Sequence, residues 1–148
     1  MREVLFRGKR VDNGEWVCSG NLIHFNEDNE CYIPVGNSNC TCTHDENDNI
    51  IEWNEVIFCK VIPETVGQFT GMTDKNGKKI FEGDIVAGAV HWLERMKNGF
   101  VAFKDGSFGL IWYRGEVEQF NPFTSMCNVE YEVIGNIHDN PELLKGDE

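Results

Sequence analysis

A chain of 148 residues, 41% hydrophobic and 26% charged, has the composition of a single globular domain, which excludes disordered, collagen-like and membrane-spanning proteins. Its net charge of −12 repels the phosphates of nucleic acids, so general nucleic-acid binding is not expected. The first residues lack the apolar region of a secretory signal, so we expect a cytoplasmic protein whose six cysteines are free thiols.

The chain begins with two β-like runs, residues 4–11 and 15–23, on either side of Asp12-Asn13-Gly14. Because Asn-Gly tolerates the positive φ angles of a type I′ turn, these runs predict an N-terminal hairpin. Residues 26–49 are rich in Asn, Asp, Ser and Thr, which predicts long loops around one brief strand at 31–35.

The middle of the chain shows the clearest β pattern. Alternation of apolar and polar residues over 50–62 predicts a strand that ends at Pro63, because proline has no N–H to donate to a sheet. Residues 69–86 then predict a strand, a turn at Lys75-Asn76-Gly77, a second strand and a corner at Gly83-Asp84. Glycine corners of this kind allow small barrels to close.

The last third of the chain predicts further strands. Residues 99–113 place Asp-Gly between two alternating apolar runs, which favours a hairpin. A loop around Asn121-Pro122-Phe123 precedes a final strand at 130–138, and Asn140-Pro141 predicts the start of a short terminal helix. Residues 87–97 fit either a helix or a strand.

Three stretches carry a family resemblance. Residues 67–86, with an Asp-Lys-Asn-Gly turn and a Phe-Glu-Gly-Asp corner, resemble the core of the YopX family of uncharacterised bacteriophage and prophage proteins. Residues 4–9 together with Trp16 resemble the start of that family, and residues 133–144 resemble its end. The resemblance implies a mainly β structure that contains an SH3-like barrel, and it implies homo-oligomers. It assigns no catalytic or binding residue.

We therefore predict one YopX-like domain over residues 1–148. Its first part, 1–62, holds the N-terminal hairpin and an acidic loop region, and its second part, 63–148, holds the barrel core. Additional hairpins and a short C-terminal helical turn complete the predicted fold. The cysteine-bearing stretch 31–42 and the stretch near Trp92 match no feature of the family.

The acidic residues are unevenly distributed. No lysine or arginine lies between Arg10 and Lys60, and ten acidic residues give this interval a charge of −10. We call residues 11–59 the acidic segment. Its charge attracts basic surfaces, so it predicts a host or phage protein as the partner. The acids selected as protein-binding are Glu27, Asp28, Asp45 and Asp48.

Cys40, Cys42 and His44 form the best metal-binding candidate. Alternate positions share one face of an extended strand, and thiolate and imidazole are ligands that zinc prefers. Known zinc sites separate paired cysteines by two to four residues and need a fourth ligand, so thiols in a loop are the competing interpretation. One alternative function is a metal-dependent enzyme built on these residues or on His91. The leading prediction, given below, includes no cofactor.

A second alternative is a nucleic-acid-binding SH3-like barrel. Basic residues lie in the first strand and in the central turn, near Phe69 and Phe81, and small β-barrels bind nucleic acid through such surfaces. The candidates are Arg7, Lys9, Arg10, Lys75, Lys78 and Lys79.

The leading prediction is a non-enzymatic phage or prophage accessory protein that acts through protein contacts. It follows from the acidic segment and from a sequence without a recognisable catalytic set. In a sharper version, the acidic surface mimics DNA toward a basic host protein.

Overall fold

The computed structural model describes residues 1–35, 43–44, 50–52, 57–87, 98–123 and 130–145. These residues form β-strands and two short 3-10 turns, so the prediction of a mainly β protein is confirmed. The chain divides into two compact units, which we call the N-terminal unit, Leu5–Val66, and the C-terminal unit, Gly67–Glu148 with Met1–Val4. The single domain over 1–148 stays a prediction.

The N-terminal unit opens with the predicted hairpin, in which β1 pairs antiparallel with β2. The predicted type I′ turn is wrong, because that turn requires positive φ at both central residues, and φ is positive at Gly14 (+72°) but not at Asn13. A three-stranded sheet follows in the order β3-β4-β7, and β5 pairs with β6. The strands are β1 (Phe6–Lys9), β2 (Trp16–Ser19), β3 (Ile23–Phe25), β4 (Glu30–Val35), β5 (Thr43–His44), β6 (Ile50–Glu52) and β7 (Ile57–Val61). The first 3-10 turn, Pro63–Thr65, begins after β7 at the predicted proline.

The core of the N-terminal unit lies on one face of the three-stranded sheet. Cys31, Ile33 and Val61 are buried there, and Val17 and Leu22 are among the residues that pack against them. A Cβ atom added to Gly8 would lie 2.9 Å from the Cβ of Val61, so only glycine allows β1 to approach β7 this closely.

The C-terminal unit contains a five-stranded antiparallel sheet in the order β13-β12-β11-β10-β14. The unit also contains an antiparallel pair, β8 with β9. The strands of the unit are β8 (Gly67–Thr73), β9 (Lys79–Phe81), β10 (Asp84–Ala87), β11 (Gly99–Lys104), β12 (Ser107–Arg114), β13 (Val117–Pro122) and β14 (Glu132–Asn136). The core includes Ile80, Val86, Val101, Leu110 and Tyr131. The predicted Asp-Gly hairpin is confirmed, with positive φ at Asp105 and Gly106.

Two buried carboxylates shape the stretch that carries the family resemblance. Asp74 accepts backbone hydrogen bonds from Asn76 at 2.8 Å and Lys78 at 2.9 Å, which closes the β8–β9 turn. Asp84 accepts one from Phe81 at 2.8 Å, across the corner where Gly83 has a φ of +83°. Asp74 and Asp84 therefore stabilise the backbone conformation of this stretch.

The structure differs from the prediction at several points. Among the described residues the five-stranded sheet ends at β13 on one side and β14 on the other, so it does not close and the SH3-like barrel is not confirmed. The predicted loop around 121–123 belongs partly to β13, and β3 was missed. The terminal helical turn is a single 3-10 turn, Pro141–Leu144. Residues 88–97, predicted as helix or strand, lie outside the described residues.

Candidate protein-binding surface

The three-stranded sheet of the N-terminal unit carries apolar side chains on both faces. Cross-strand partners such as Ile33 and Cys59 point to the core, and the next pair along the register, Pro34 and Phe58, therefore points the other way. We call this second side the apolar face. It is formed by Ile23 and Phe25 of β3, Tyr32 and Pro34 of β4, and Phe58 of β7.

Much of the apolar face is accessible to solvent. Phe25 is 53% exposed and Phe58 is 54% exposed, while Ile23 is 36% exposed. Phe25 lies edge-on to Tyr32, with the ring centroids 5.9 Å apart. Single exposed apolar residues are ordinary, but several on one side of a sheet make that side a candidate interaction surface.

A polar network crosses the apolar face. The hydroxyl of Tyr32 donates to Glu30 at 2.8 Å, and the ammonium of Lys60 forms an ion pair with the same carboxylate. Lys60, followed by the Tyr32 hydroxyl, lowers the pKa of Glu30, and Glu30 raises the pKa of Lys60. Lys60, the first lysine after the acidic segment, is therefore paired with a carboxylate of that segment.

Two of the selected acids lie at one end of this face. Glu27 and Asp28 are exposed in the turn between Phe25 of β3 and Glu30 of β4. Asn29 completes the turn with a φ of +50°, and its side-chain oxygen lies 3.2 Å from Nε2 of His24. The turn thus presents two carboxylates beside exposed aromatic rings. Asp45 and Asp48 lie outside the described residues.

The six basic candidates are divided between the two units, with Arg7, Lys9 and Arg10 in one and Lys75, Lys78 and Lys79 in the other. Several are engaged by acids: Arg10 pairs with Asp12 at 2.5 Å, Lys75 with Glu132 at 2.7 Å and Lys79 with Glu3 at 2.5 Å. The guanidinium of Arg7 lies 4.9 Å from the centre of the Trp16 ring.

The aromatic rings near the central turn are not available for stacking on bases. Phe69 is 5% exposed and Phe81 is 7% exposed, and the two rings pack together with centroids 5.6 Å apart. Nucleic-acid binding by these residues stays a prediction that the ion pairs and the buried rings do not favour.

The metal candidates fall mostly outside the described residues. Cys40, Cys42 and His91 lie there, and His44 belongs to β5. Among the residues that the structure describes, no three His, Cys, Asp or Glu side chains come together in a group that could hold a metal ion. In the same ranges, none of the helical segments has the length and apolar character needed to cross a bilayer.

The apolar face was missed by the sequence reasoning, although a signal for it exists. Residues 31–35 of β4 are apolar without interruption, which is typical of a strand covered on both faces. Only the register with β7 shows which of these side chains enter the core and which remain at the surface.

Comparisons with known proteins find similarity over nearly the whole chain. The family model described as YopX protein matches residues 5–145. The crystal structure of protein EF1440 from Enterococcus faecalis is similar to this chain with a TM-score of 0.53 and 27% sequence identity, and the similarity covers 95% of this chain and 97% of that one. A comparison with the curated proteins gives no match.

Proposed function

We propose that this chain, which belongs to the YopX protein family, is a non-enzymatic module that binds another protein through its acidic segment. Neither the family description nor that of the Enterococcus faecalis protein names an activity. The proposal therefore rests on the charge and the surface of the chain itself.

The observation that carries the proposal is the charge of the acidic segment, −10 without a lysine or arginine. Glu27 and Asp28 place part of that charge on an exposed turn. Lys60, the first lysine after the segment, forms an ion pair with Glu30. A surface of this kind attracts a basic partner over a Debye length of about 10 Å at 0.1 M salt.

Charge-neutralising substitutions test the proposal. One variant carries Glu27→Gln, Asp28→Asn, Asp45→Asn and Asp48→Asn. A matched control changes the same amount of charge at exposed acids of the C-terminal unit, with the substitutions Asp105→Asn, Glu116→Gln, Glu130→Gln and Glu142→Gln. Tagged wild type and both variants are used for pull-downs from lysate of the host bacterium at low and moderate salt.

The expected result is a basic protein that wild type and control retain and that the acidic-segment variant loses. A partner retained equally by all three chains would overturn the proposal. Retention of nucleic acid in place of protein would favour binding through the basic residues instead. Loss of a DNA-binding host protein specifically would support the sharper version, in which the acidic surface mimics DNA.

The proposal also covers the localisation, the origin and the oligomeric state of the protein. We place it in the cytoplasm as a phage or prophage accessory protein, and we propose that it forms homo-oligomers. The resemblance of residues 67–86 to phage proteins supports the phage or prophage origin. For the fold, we propose that the C-terminal unit forms an SH3-like barrel. A crystal structure of the chain would test this proposal.

A further inference from the structure

We infer that the apolar face docks an extended protein segment in which apolar side chains are flanked by lysine or arginine. The inference rests on the proposed function and specifies its site and the chemistry of its partner. On the apolar face, β3 supplies Ile23 and Phe25 for contact with apolar side chains, and the adjacent turn supplies Glu27 and Asp28 for contact with basic ones.

Two exposed side chains of β3 supply the apolar contacts. Phe25 is 53% exposed and Ile23 is 36% exposed, and Tyr32 of the neighbouring strand lies on the same side of the sheet. Burial of exposed aromatic rings is favourable, and aromatic side chains commonly supply much of the binding energy of an interface. The docked segment must therefore bring apolar side chains of its own.

The extended conformation follows from the position of β3. In the part of the chain that the structure describes, this strand lies at the edge of the three-stranded sheet, with β4 on its inner side, and all three of its residues are exposed. Edge strands bind extended segments by adding a strand to the sheet. A segment added beside Ile23 and Phe25 would place every second side chain on the apolar face.

Charge selects the flanking residues of the partner. The exposed carboxylates of Glu27 and Asp28 lie in the turn at the end of β3, where one end of an added strand would lie. Basic side chains at that end are attracted, and acidic ones are repelled. The same reasoning disfavours a second copy of this chain, because two acidic segments would face each other.

The inference is tested by titration with three synthetic peptides. The first places alternating valine, threonine and phenylalanine between two pairs of lysines. The second keeps that centre and replaces the lysines by glutamates, and the third keeps the lysines and replaces valine and phenylalanine by serine. Amide chemical shifts of the labelled wild-type chain report both affinity and location.

The first peptide is expected to shift amides of β3 and β4 and to bind about tenfold or more tightly than either reference peptide. If the third peptide, which carries serine, bound as tightly as the first, the attraction would be due to charge alone and the inference would be overturned. Shifts confined to the C-terminal unit would overturn it, as would the absence of binding by the first peptide.

Substitutions provide an independent test with a closely matched control. Phe25→Ser is expected to weaken binding of the first peptide about tenfold, whereas Phe58→Ser, on β7 at the opposite edge of the sheet, is expected to change it little. Phe103→Ser is a further control, because Phe103 is 56% exposed and packs edge-on against Phe108 at 5.1 Å, much as Phe25 packs against Tyr32. Unchanged binding of the first peptide by Phe25→Ser would contradict the inference.

The outcomes separate this inference from the proposed function. If the acidic-segment variant loses its cellular partner while Phe25→Ser retains it, the docking site is wrong and the proposed function stands. If none of the chains retains a basic protein, the proposed function itself fails. A dimer in sedimentation experiments that Phe25→Ser dissociates would assign this edge of the sheet to a second copy and overturn the inference.

Discussion

The carboxylate of Asp74 accepts a hydrogen bond from the backbone N–H of Val133 at 3.1 Å, which joins the β8–β9 turn to β14. A second bond, from the N–H of Lys75 to the carbonyl oxygen of Tyr131 at 2.8 Å, reinforces the junction. The turn that carries the family resemblance is thereby tied to a strand near the end of the chain. Asp74 has a structural role in this arrangement and is not a candidate for catalysis.

Replacement of Asp74 by alanine is expected to lower the thermal midpoint of unfolding by roughly 3–8 °C, because three backbone N–H groups lose their acceptor. Asp28→Ala, at an exposed position, is the control and is expected to change the midpoint little. Differential scanning calorimetry makes the comparison. Equal midpoints for Asp74→Ala and the control would contradict the structural role.

The pH dependence of stability should reveal the same carboxylate. The N–H of Val133, followed by those of Lys78 and Asn76, holds the pKa of Asp74 below its ordinary value of 3.8. A lowered pKa in the folded state means that Asp74 stabilises the fold above the ordinary pKa and loses this contribution as the pH falls through the folded-state pKa. The midpoint difference between wild type and Asp74→Asn should therefore be steady near neutral pH and shrink in acid. A difference that grew in acid would contradict this assignment.

Gly109→Ala is expected to destabilise the C-terminal unit by about 1–3 kcal/mol, the usual effect of forcing extra atoms into a packed site. A Cβ atom at this position would lie 2.4 Å from the carbonyl oxygen of Asn121 and 2.6 Å from the ring of Phe120. Ser107→Ala in the same strand is the control. Chemical denaturation measures both variants, and a neutral Gly109→Ala would show that β13 does not pair with β12 as described.

Ile33 and Phe58 lie on opposite faces of the same sheet, so their substitution tests the assignment of the apolar face. Ile33 is fully buried, and Ile33→Ala is expected to cost about 2–5 kcal/mol of stability. Phe58→Ala, at a side chain 54% exposed, should cost much less. If urea denaturation gave the reverse order, the register between β4 and β7 would be wrong.

Cysteine alkylation tests the register between β4 and β7 without any substitution. Cys31 is 5% exposed and Cys59 is 4% exposed, and burial raises the pKa of the Cys31 thiol, whereas Cys18 is exposed on β2. Native alkylation by iodoacetamide, followed by peptide mass spectrometry, should label Cys18 about tenfold or more faster than the other two. Comparable rates at all three residues would place Cys31 and Cys59 outside the core.

The hairpins were predictable because their turns carry local information. Asn13-Gly14 and Asp105-Gly106 favour the positive φ angles that the structure shows at Gly14, Asp105 and Gly106. The strand β13 was missed because its apolar pattern is weak. It is stabilised by pairing with β12 and by contacts such as the 2.8 Å ion pair between Lys104 and Glu118, which the linear sequence does not display.

The candidate surface was predictable only in part. The acidic segment is visible in the sequence, and so is the uninterrupted apolar run of β4. The sequence does not specify which side chains of that run face solvent, because this depends on pairing with β7 more than twenty residues later. Nor does it show that Lys60 is neutralised by Glu30 across the same two strands.

The most direct test of the central claim is a calorimetric titration with the basic protein that wild type retains in the pull-down. Wild type, the acidic-segment variant and the C-terminal control are each titrated at low and at high salt. We predict that the acidic-segment variant binds about tenfold more weakly than wild type and the control at low salt, and that added salt narrows the difference. Equal affinity of all three chains at low salt would contradict binding through the acidic segment.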